Sequence, residues 1–264
     1  MTPVLMLGAG RLGGAMIEGW SRFGGPAGAD LMVLDPHPSA AAVAAGRNGA
    51  VLSPGPADLA RARTVLLAVK PQVWREAAAA IAGDLASDAV IVSVAAGVRA
   101  ADISQAFAGR RVARVMPTTA VAVGRGVASL FALDPEAAAR AHALFSPVAT
   151  VVDLAEERLL HAATGVSGSA PAYFYAFVEA LEAAGAAAGL PPQSSRDLAR
   201  ATMVGAAALL DASGEEPADL RRQVTSPGGT TEAALAILMG EAGLRPLLRD
   251  AVAAAARRSE ELGG

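Results

Sequence analysis

A turn rich in hydroxyl groups and glycine lies late in the chain and has the residue types of an anion-binding site. It reads Val224-Thr225-Ser226-Pro227-Gly228-Gly229-Thr230-Thr231 and precedes an apolar helical run that ends near Leu238. The first backbone N–H groups of a helix have no partner within the helix, and the helix dipole favours negative charge at that end. Because small hydroxyl donors stand beside such groups here, the turn predicts a cradle for a carboxylate or a phosphate.

The same hydroxyl groups also fit a purely structural role. Serine and threonine are preferred at helix N-caps whether or not a ligand binds. One or two of the hydroxyls, such as those of Ser226 and Thr230, would be sufficient for a cap. Taken alone, the turn therefore leaves both interpretations open.

A glycine pattern near the start of the chain predicts a second anion site, of the kind that binds a dinucleotide. Gly8-Ala9-Gly10-Arg11-Leu12-Gly13 follows a short apolar strand and opens a helix. In this context the first glycine permits a tight turn, the second lets the backbone approach a pyrophosphate, and the third lets helix and strand pack closely. The whole run is therefore a candidate cofactor-binding loop, with the pyrophosphate at the helix N-terminus.

Asp35 stands at the end of the second predicted strand, where this type of fold places the acid that binds the ribose 2′-hydroxyl of NAD. A carboxylate there repels the 2′-phosphate of NADP, and the neighbouring Pro36 supplies no arginine to offset the repulsion. Asp35 also fits a simple turn before Pro36. The predicted cofactor is NADPH or NADH, with a slight preference for NADH.

Two later strand ends add candidate cofactor contacts. The carboxyl ends of parallel strands face the ligand crevice, so the run Ala68-Val69-Lys70-Pro71 is expected there. Lys70 would then touch ribose, nicotinamide or phosphate, and the alternative is a solvated lysine at a strand end. Ala95 and Ala96 end the next strand in the same way and leave space for a ring.

Composition narrows the classes of protein. The 264 residues are 53% hydrophobic, which supports a sizeable core, and the net charge of −3 comes with no basic run of the kind that binds nucleic acid. The mean hydropathy is +0.40, yet no stretch of about 20 strongly apolar residues predicts a membrane span. Cysteine is absent, and His37, His142 and His161 are too scattered to suggest a metal site. The N-terminus lacks the features of a signal peptide, so a cytoplasmic protein is expected.

The first half of the chain alternates short β-like runs with Ala-rich helical segments, as a parallel sheet with crossover helices requires. The predicted strands are Pro3–Leu7, Asp30–Leu34, Thr64–Ala68, Ala89–Ser93, Arg111–Val115, Gly126–Phe131 and Ala149–Val152, and the predicted helices between them are Arg11–Phe23, Ser39–Arg47, Gln72–Leu85 and Pro135–Leu144. After about residue 155 only helices follow, such as Pro171–Ala188 and Asp197–Leu210. The sequence thus predicts an α/β Rossmann domain over residues 1–155 and an all-α domain over residues 156–264. The small residues of the later helices fit either intrachain packing or an obligate subunit interface.

The run from Leu220 to Leu235, which contains the turn of glycines and hydroxyls, resembles the signature of the pyrroline-5-carboxylate reductase family. Three further segments are similar to the same family: Gly8–Gly13, Ala68–Gln72 and Gly165–Tyr173. Together they extend over nearly the whole chain in the expected order. The resemblance implies an NAD(P)H-dependent reduction of 1-pyrroline-5-carboxylate to L-proline, the last step of proline biosynthesis. It also implies that the helical domain is a dimerisation domain through which two subunits interlock, with dimers often assembled into rings, commonly decamers.

The resemblance also implies roles for individual residues. In the family, the turn holds the substrate carboxylate by backbone N–H and hydroxyl groups, which map by motif onto Ser226, Gly229 and Thr230, with Val224 beside them. The Thr231 hydroxyl would hydrogen-bond the ring nitrogen, which makes Thr231 the candidate catalytic residue. If the imine arrives protonated, the protein mainly has to orient the substrate and hold its nitrogen and carboxylate. Tyr173 is assigned to the core or the subunit interface, as is Tyr175.

Two departures from the family pattern leave other functions open. The segment Met116-Pro117-Thr118-Thr119-Ala120 stands where members typically carry Met-Pro-Asn-Thr-Pro, so an amide and a proline are missing beside the expected active site. Met239 occupies a position that is usually polar or acidic. The alternatives are a reductase of another cyclic imine acid, which would need the same cradle, and a non-catalytic NAD(P)-sensing binding protein, which only the altered 118–120 segment supports.

Overall fold

Alternating strands and helices form the first half of the molecule, and helices alone form the second. The structure is a computed structural model and describes residues 1–262. Over that range the strands are β1 (Val4–Leu7), β2 (Leu31–Leu34), β3 (Val51–Leu52), β4 (Thr64–Leu67), β5 (Val90–Ser93), β6 (Val112–Pro117), β7 (Gly126–Ala132) and β8 (Ala149–Asp153). The helices are α1 (Arg11–Phe23), α2 (Ala40–Arg47), α3 (Pro56–Leu59), α4 (Trp74–Ile81), α5 (Ala100–Ala106), α6 (Pro135–Phe145), α7 (Leu159–Ala163), α8 (Ala170–Ala187), α9 (Pro192–Ser213), α10 (Pro217–Gln223), α11 (Thr230–Leu238) and α12 (Leu244–Glu261).

The strands form one sheet in the order β3-β2-β1-β4-β5-β6-β7-β8. The strand order turns back at β1, which has β2 on one side and β4 on the other, and both pairs are parallel. Such a switch point opens a crevice at the carboxyl ends of the strands. Gly8, Asp35, Ala68 and Val94 directly follow β1, β2, β4 and β5, so they lie along this edge. The predicted Rossmann-type sheet is confirmed.

One strand runs against the predicted direction. The sequence predicted a parallel sheet throughout, but β7 pairs antiparallel with β6, with Arg114 opposite Phe131. The prediction was wrong here because residues 118–125 are the whole connection between the two strands, and a parallel crossover needs about a dozen residues or more. The next pair, β7 with β8, is parallel again and is joined through α6.

The central strands are buried on both faces, which explains their continuous apolar runs. In β1, Val4 and Met6 belong to one apolar cluster, and Leu5 and Leu7 belong to the other. The helix α1 covers one face with Met16, Ile17 and Trp20. Packing on both faces fixes the position of the strand ends, and hence of the loops that follow them.

Most predicted elements are confirmed with small shifts at their ends. The prediction Arg11–Phe23 matches α1, whereas Gln72–Leu85 was too long, since α4 runs only from Trp74 to Ile81. The elements β3, α3 and α5 were not predicted. They are short, and Val51–Leu52 in β3 offers too few residues for an alternating pattern to be recognised.

The chain packs as two units. Within residues 1–262, residues 1–168 and 254–262 form one unit, and residues 169–253 form the other. Within the first unit, His161 on α7 hydrogen-bonds Ser259 near the end of α12, with 3.0 Å between Nδ1 and Oγ. The expected division between residues 155 and 156 stays a prediction about domains. Within residues 1–262, none of the helices has the length and apolar character to cross a membrane.

Candidate functional site

The glycine loop after β1 has the shape that a pyrophosphate site requires. Gly8 adopts a φ of +96°, and a Cβ there would lie 2.9 Å from the Ala68 carbonyl. A Cβ on Gly13 would collide with the Gly8 carbonyl oxygen, so Gly13 lets α1 start directly beneath the loop. A Cβ position on Gly10 has no heavy atom within 4 Å, so the space above that residue is open. Each glycine thus meets the requirement that its position in the pattern predicts.

The start of α1 leaves donors available beside this open space. Gly10 is the N-cap and makes no side-chain capping bond, while the Gly14 N–H already donates to the Gly10 carbonyl. The N–H groups of Arg11, Leu12 and Gly13 remain for a ligand, because they lie in the first turn of the helix. These residues fit a dinucleotide pyrophosphate.

Asp35 fixes the glycine loop through its carboxylate. Its Oδ2 accepts a hydrogen bond from the Ala9 N–H at 2.6 Å, and its Oδ1 accepts one from the His37 N–H at 2.7 Å. Both interpretations from the sequence therefore have support, because Asp35 shapes the turn and also faces the cleft. A carboxylate offers about four acceptor positions, so two remain for ribose hydroxyls.

A cleft of about 870 Å³ lies along the carboxyl ends of β1, β2, β4 and β5. The predicted cofactor residues that line it are Gly8, Gly10, Arg11, Leu12, Asp35, Ala68, Val69 and Lys70. The Lys70 side chain is exposed there. The cleft brings Arg11, His37 and Lys70 together with the carboxylates of Asp35 and Glu76. Its size and its mixture of apolar and charged lining suit a nucleotide.

Several predicted cofactor residues lie outside this lining. Ala9 and Gly13 are buried beneath the loop, and Pro71, Ala95 and Ala96 do not border the cleft. Sequence reasoning missed other residues that do line it, namely Leu7, Leu34, Pro36, His37, Val73, Glu76, Ala77, Ala80 and Val94. The alanines of α4 are small side chains on one helix face, and that spacing was the available signal.

The loop after β5 is held by hydrogen bonds at both ends. The Ser93 hydroxyl accepts from the Ala95 N–H at 3.2 Å, and Glu157 Oε1 accepts from the Ala100 N–H at 2.7 Å. In the first turn of α5, hydrogen bonds from the Arg99 guanidinium hold the pKa of Asp102 below its ordinary value. This loop borders the crevice on the side away from Asp35.

The turn at residues 224–231 leads into α11, as predicted, and its last two residues are the first two of the helix. Gly228 has a φ of +72°, which favours glycine, and its N–H donates to Glu232 Oε2 at 2.8 Å. A Cβ on Gly229 would lie 2.5 Å from the Ser226 hydroxyl oxygen. The Gly229 N–H donates to the Ser226 carbonyl at 3.0 Å, so it is already used within the turn.

The free donors at this helix start lie one residue later than the motif comparison predicts. Ala233 makes the first bond back to the turn, to the Gly229 carbonyl, and Gly229 is the N-cap. The N–H groups of Thr230, Thr231 and Glu232 therefore have no acceptor within residues 1–262. N–H groups of this kind at a helix N-terminus are able to bind an anion.

The hydroxyl groups of the turn do not act as helix caps. No side chain caps α11. Within residues 1–262, the hydroxyls of Ser226, Thr230 and Thr231 make no hydrogen bond, whereas the Thr225 hydroxyl donates to the Arg221 carbonyl at 2.6 Å. Val224 is exposed at the end of α10, and Thr231 is half-buried. The structure thus rejects the interpretation of this turn as a set of capping residues.

The two departures from the family pattern have structural explanations. Thr118 is buried, and its Oγ1 accepts a hydrogen bond from the Val127 N–H at 3.1 Å while its own N–H donates to the Val127 carbonyl at 2.9 Å. Its hydroxyl therefore anchors the end of β6 to β7. Met239 directly follows α11 as its C-cap, and its sulfur lies 4.0 Å from Arg221 Nη1. Thr118 thus joins two strands through hydrogen bonds, and Met239 contacts the end of α10 through Arg221.

The Rossmann-type sheet, the glycine loop and the cleft define a dinucleotide-dependent oxidoreductase. In agreement, residues 3–97 match the family model described as NADP oxidoreductase coenzyme F420-dependent. Residues 157–262 match the family model described as pyrroline-5-carboxylate reductase dimerisation. The second match includes the turn at residues 224–231.

The particular family follows from relatives that align with most of the chain. A pyrroline-5-carboxylate reductase of Synechocystis sp. is 43% identical over 75% of this chain and 74% of its own length. One of Pseudomonas aeruginosa is 37% identical over 99% of this chain and 97% of its own length. The chain therefore belongs to the pyrroline-5-carboxylate reductase family, as the sequence signature predicted.

Solved structures agree with this assignment. A pyrroline-5-carboxylate reductase from Coxiella burnetii superposes with a TM-score of 0.88 at 27% identity, over 100% of this chain and 99% of the other. A pyrroline carboxylate reductase from Plasmodium falciparum, with NADP bound, gives a TM-score of 0.84 at 22% identity over 100% and 98% of the two chains. At 22% identity, the likeness to the Plasmodium falciparum structure shows a shared fold and no more.

Proposed function

We propose that this chain reduces 1-pyrroline-5-carboxylate to L-proline with NADH or NADPH. The observation that carries the proposal is the start of α11, where the backbone N–H groups of residues 230–232 make no hydrogen bond within residues 1–262. The hydroxyls of Ser226, Thr230 and Thr231 also make none over that range. The family assignment turns this general anion site into a site for an imino acid. The glycine cleft accounts for the dinucleotide, so the turn is available for the substrate.

The proposed role of each residue follows from the hydrogen-bond donors near the start of α11. The N–H groups at the start of α11 and the hydroxyls of Ser226 and Thr230 bind the substrate carboxylate. Thr231 is the proposed catalytic residue, and its hydroxyl holds the ring nitrogen. When bound in the glycine cleft, the reduced nicotinamide would supply a hydride to C5 of the ring. The protein's part is to orient the ring and to favour charge at its nitrogen.

A steady-state assay tests the function directly. The purified chain should oxidise NADH or NADPH in the presence of 1-pyrroline-5-carboxylate and form L-proline in equal amount. The six-membered cyclic imino acid is the matched comparison substrate, since it offers the same carboxylate beside a larger ring. A higher kcat/KM on that analogue would transfer the assignment to the rival reductase. Tight cofactor binding with no turnover on either imine would support a non-catalytic NAD(P)-sensing protein.

The helical unit supports the further proposal that the chain is a homodimer. Among residues 169–253 only Ser195 and Ala199 are buried, so this unit has no apolar core of its own. Large apolar side chains are exposed instead, including Phe174 at 58% and Ile237 at 79%. Patches of this kind mark interfaces. Because the family match over this region is to a dimerisation domain, we assign the exposed faces to a second copy, with a decamer as the larger assembly to be tested. A cytoplasmic location stays a prediction.

Charged substitutions on these faces should separate the subunits. The double variant Phe174→Glu/Ile237→Glu should sediment as a monomer at micromolar concentration, because each unpaired carboxylate costs several kcal/mol to bury and occurs twice in a symmetric dimer. Leu133→Glu is the matched control, since Leu133 is 86% exposed in the other unit. Analytical ultracentrifugation measures the mass of each. A dimer that survives the double variant would place the interface elsewhere.

A further inference from the structure

A partly buried ion pair lies beneath the loop that follows β5, with Arg114 buried and Glu157 29% exposed. Arg114 is on β6, and its side chain is only 5% exposed. Its Nη1 lies 2.8 Å from Oε1 of Glu157, in the segment after β8. Charges taken out of water are costly unless they are paired and hydrogen-bonded, so the buried guanidinium of Arg114 depends on the Glu157 carboxylate.

The same carboxylate oxygen also holds the loop. Glu157 Oε1 accepts the Ala100 N–H at 2.7 Å, and Ala100 is the first residue of α5. The N-cap of α5 is Arg99, which makes no side-chain capping bond, so a residue distant in sequence supplies the cap. A single oxygen atom therefore joins β6, the segment after β8 and the start of α5.

The loop at residues 94–99 is thereby fixed at both ends. Its other end is held by the bond from the Ala95 N–H to the Ser93 hydroxyl. Between the two attachments, Gly97 has a φ of +77° and Val94 lines the cofactor cleft. Any shift of Ala100 would be transmitted to this short loop.

The loop lies on the side of the crevice where the reacting half of the cofactor belongs. Asp35 follows β2 and marks the adenosine side, so the nicotinamide half extends across β1 toward β4 and β5. We propose that Glu157 is a positioning residue for hydride transfer, which acts by holding the loop at residues 94–99 against the nicotinamide, while Arg114 balances its charge. This inference depends on the reductase function proposed above.

Two double variants isolate the effect of the hydrogen bond from the Ala100 N–H to the Glu157 side chain. Arg114→Met/Glu157→Gln removes both charges but keeps an amide oxygen for the Ala100 N–H, whereas Arg114→Met/Glu157→Ala removes the acceptor as well. The first should keep kcat within about threefold of the parent, because a buried pair can often be replaced without loss. The second should lower kcat by roughly 10- to 100-fold, with little change in the dissociation constant of NADH, since a misplacement of about 1 Å has effects of this size.

The isotope effect separates positioning from stability. With NADH deuterated at C4, the alanine variant should show a larger isotope effect on kcat, because hydride transfer has become slower relative to product release. Glu156→Gln is the matched control, since it removes an exposed ion pair with Arg158 next to Glu157 and leaves the Ala100 N–H bond in place. It should leave kcat and the isotope effect unchanged.

Each outcome decides the inference. Equal kcat and equal isotope effects for the two double variants would overturn it, even if the alanine variant melts at a lower temperature. Amide hydrogen exchange over residues 94–100 gives a readout that needs no catalysis. Exchange should be faster only in the alanine variant, and equal exchange in both would also overturn the inference. If the parent protein lacks reductase activity, the proposed function fails, and the exchange data still decide whether Glu157 holds the loop.

Discussion

Replacing Thr231 by alanine should lower kcat on 1-pyrroline-5-carboxylate by about 100-fold, which corresponds to about 2.7 kcal/mol of transition-state stabilisation. The hydroxyl is half-buried at the start of α11 and makes no internal hydrogen bond within residues 1–262. Removal of the hydroxyl therefore breaks no hydrogen bond of the described chain, and the loss should fall on the reaction. The dissociation constant of NADH, measured by fluorescence titration, should change by less than about twofold, because the glycine cleft is intact.

Thr231→Ser is the matched control for this prediction. It keeps the hydroxyl and removes only a methyl group, so kcat should stay within about threefold of the parent. The melting temperatures of both variants should agree with that of the parent, since neither substitution leaves a buried polar group unpaired. Unchanged kinetics for Thr231→Ala would remove Thr231 from the mechanism. Equal losses for alanine and serine would assign the effect to packing by the methyl group.

The pH dependence distinguishes the two roles open to Thr231. If its hydroxyl only holds the ring nitrogen, the substrate must arrive protonated, and Thr231→Ala should lower kcat by the same factor at every pH. If the hydroxyl delivers the proton, the loss should grow as pH rises, because the protonated imine then becomes scarce in solution. The ratio of parent to variant kcat across pH 6 to about 9 measures the difference.

The glycine loop shows what local sequence could predict. The roles of Gly8, Gly10 and Gly13 depend on steric limits that apply wherever this pattern joins a strand to a helix. The structure reproduces them as a positive φ, an open space and a close helix approach. The helix start at Thr230 was predictable for a similar reason, since glycines and hydroxyls precede an apolar run there.

Features that depend on distant contacts could not be read from the chain. The bond from the Ala9 N–H to Asp35 and the bond from the Ala100 N–H to Glu157 each join residues far apart in sequence. Glu157 lies in a charged segment with nothing in its neighbours to indicate burial beside Arg114. The prediction of the direction of β7 was wrong for another reason. An apolar strand pattern is the same in parallel and antiparallel pairs, so it does not reveal the direction of a strand. Which N–H groups of the turn are left for a ligand also depends on its geometry. The Gly229 N–H already donates to the Ser226 carbonyl, whereas the Thr230 N–H has no acceptor within residues 1–262.

The preference between NADH and NADPH should depend strongly on the charge of Asp35. Asp35→Asn should raise the ratio of kcat/KM for NADPH to kcat/KM for NADH by roughly 30-fold. A carboxylate about 4 Å from a doubly charged 2′-phosphate costs about 2 kcal/mol even in water, and the amide removes that repulsion. The amide also keeps one acceptor oxygen for the N–H groups of Ala9 and His37, which limits the damage to the loop. The parent enzyme should accordingly prefer NADH.

The ratio of kcat/KM for NADPH to that for NADH is the quantity to measure, because the Asp35 carboxylate both holds the glycine loop and repels a 2′-phosphate. Weakening the bond to Ala9 should reduce the affinity for both cofactors alike, whereas the loss of charge should favour NADPH alone. Asp88→Asn is the matched control, since it removes the same charge from an exposed pair with Arg63 in the same unit and should leave the ratio unchanged. Salt supplies an independent check, because added salt screens the repulsion and should raise the NADPH to NADH ratio of the parent but not that of Asp35→Asn. A ratio that is unaffected by Asp35→Asn would mean that Asp35 serves only to hold the glycine loop.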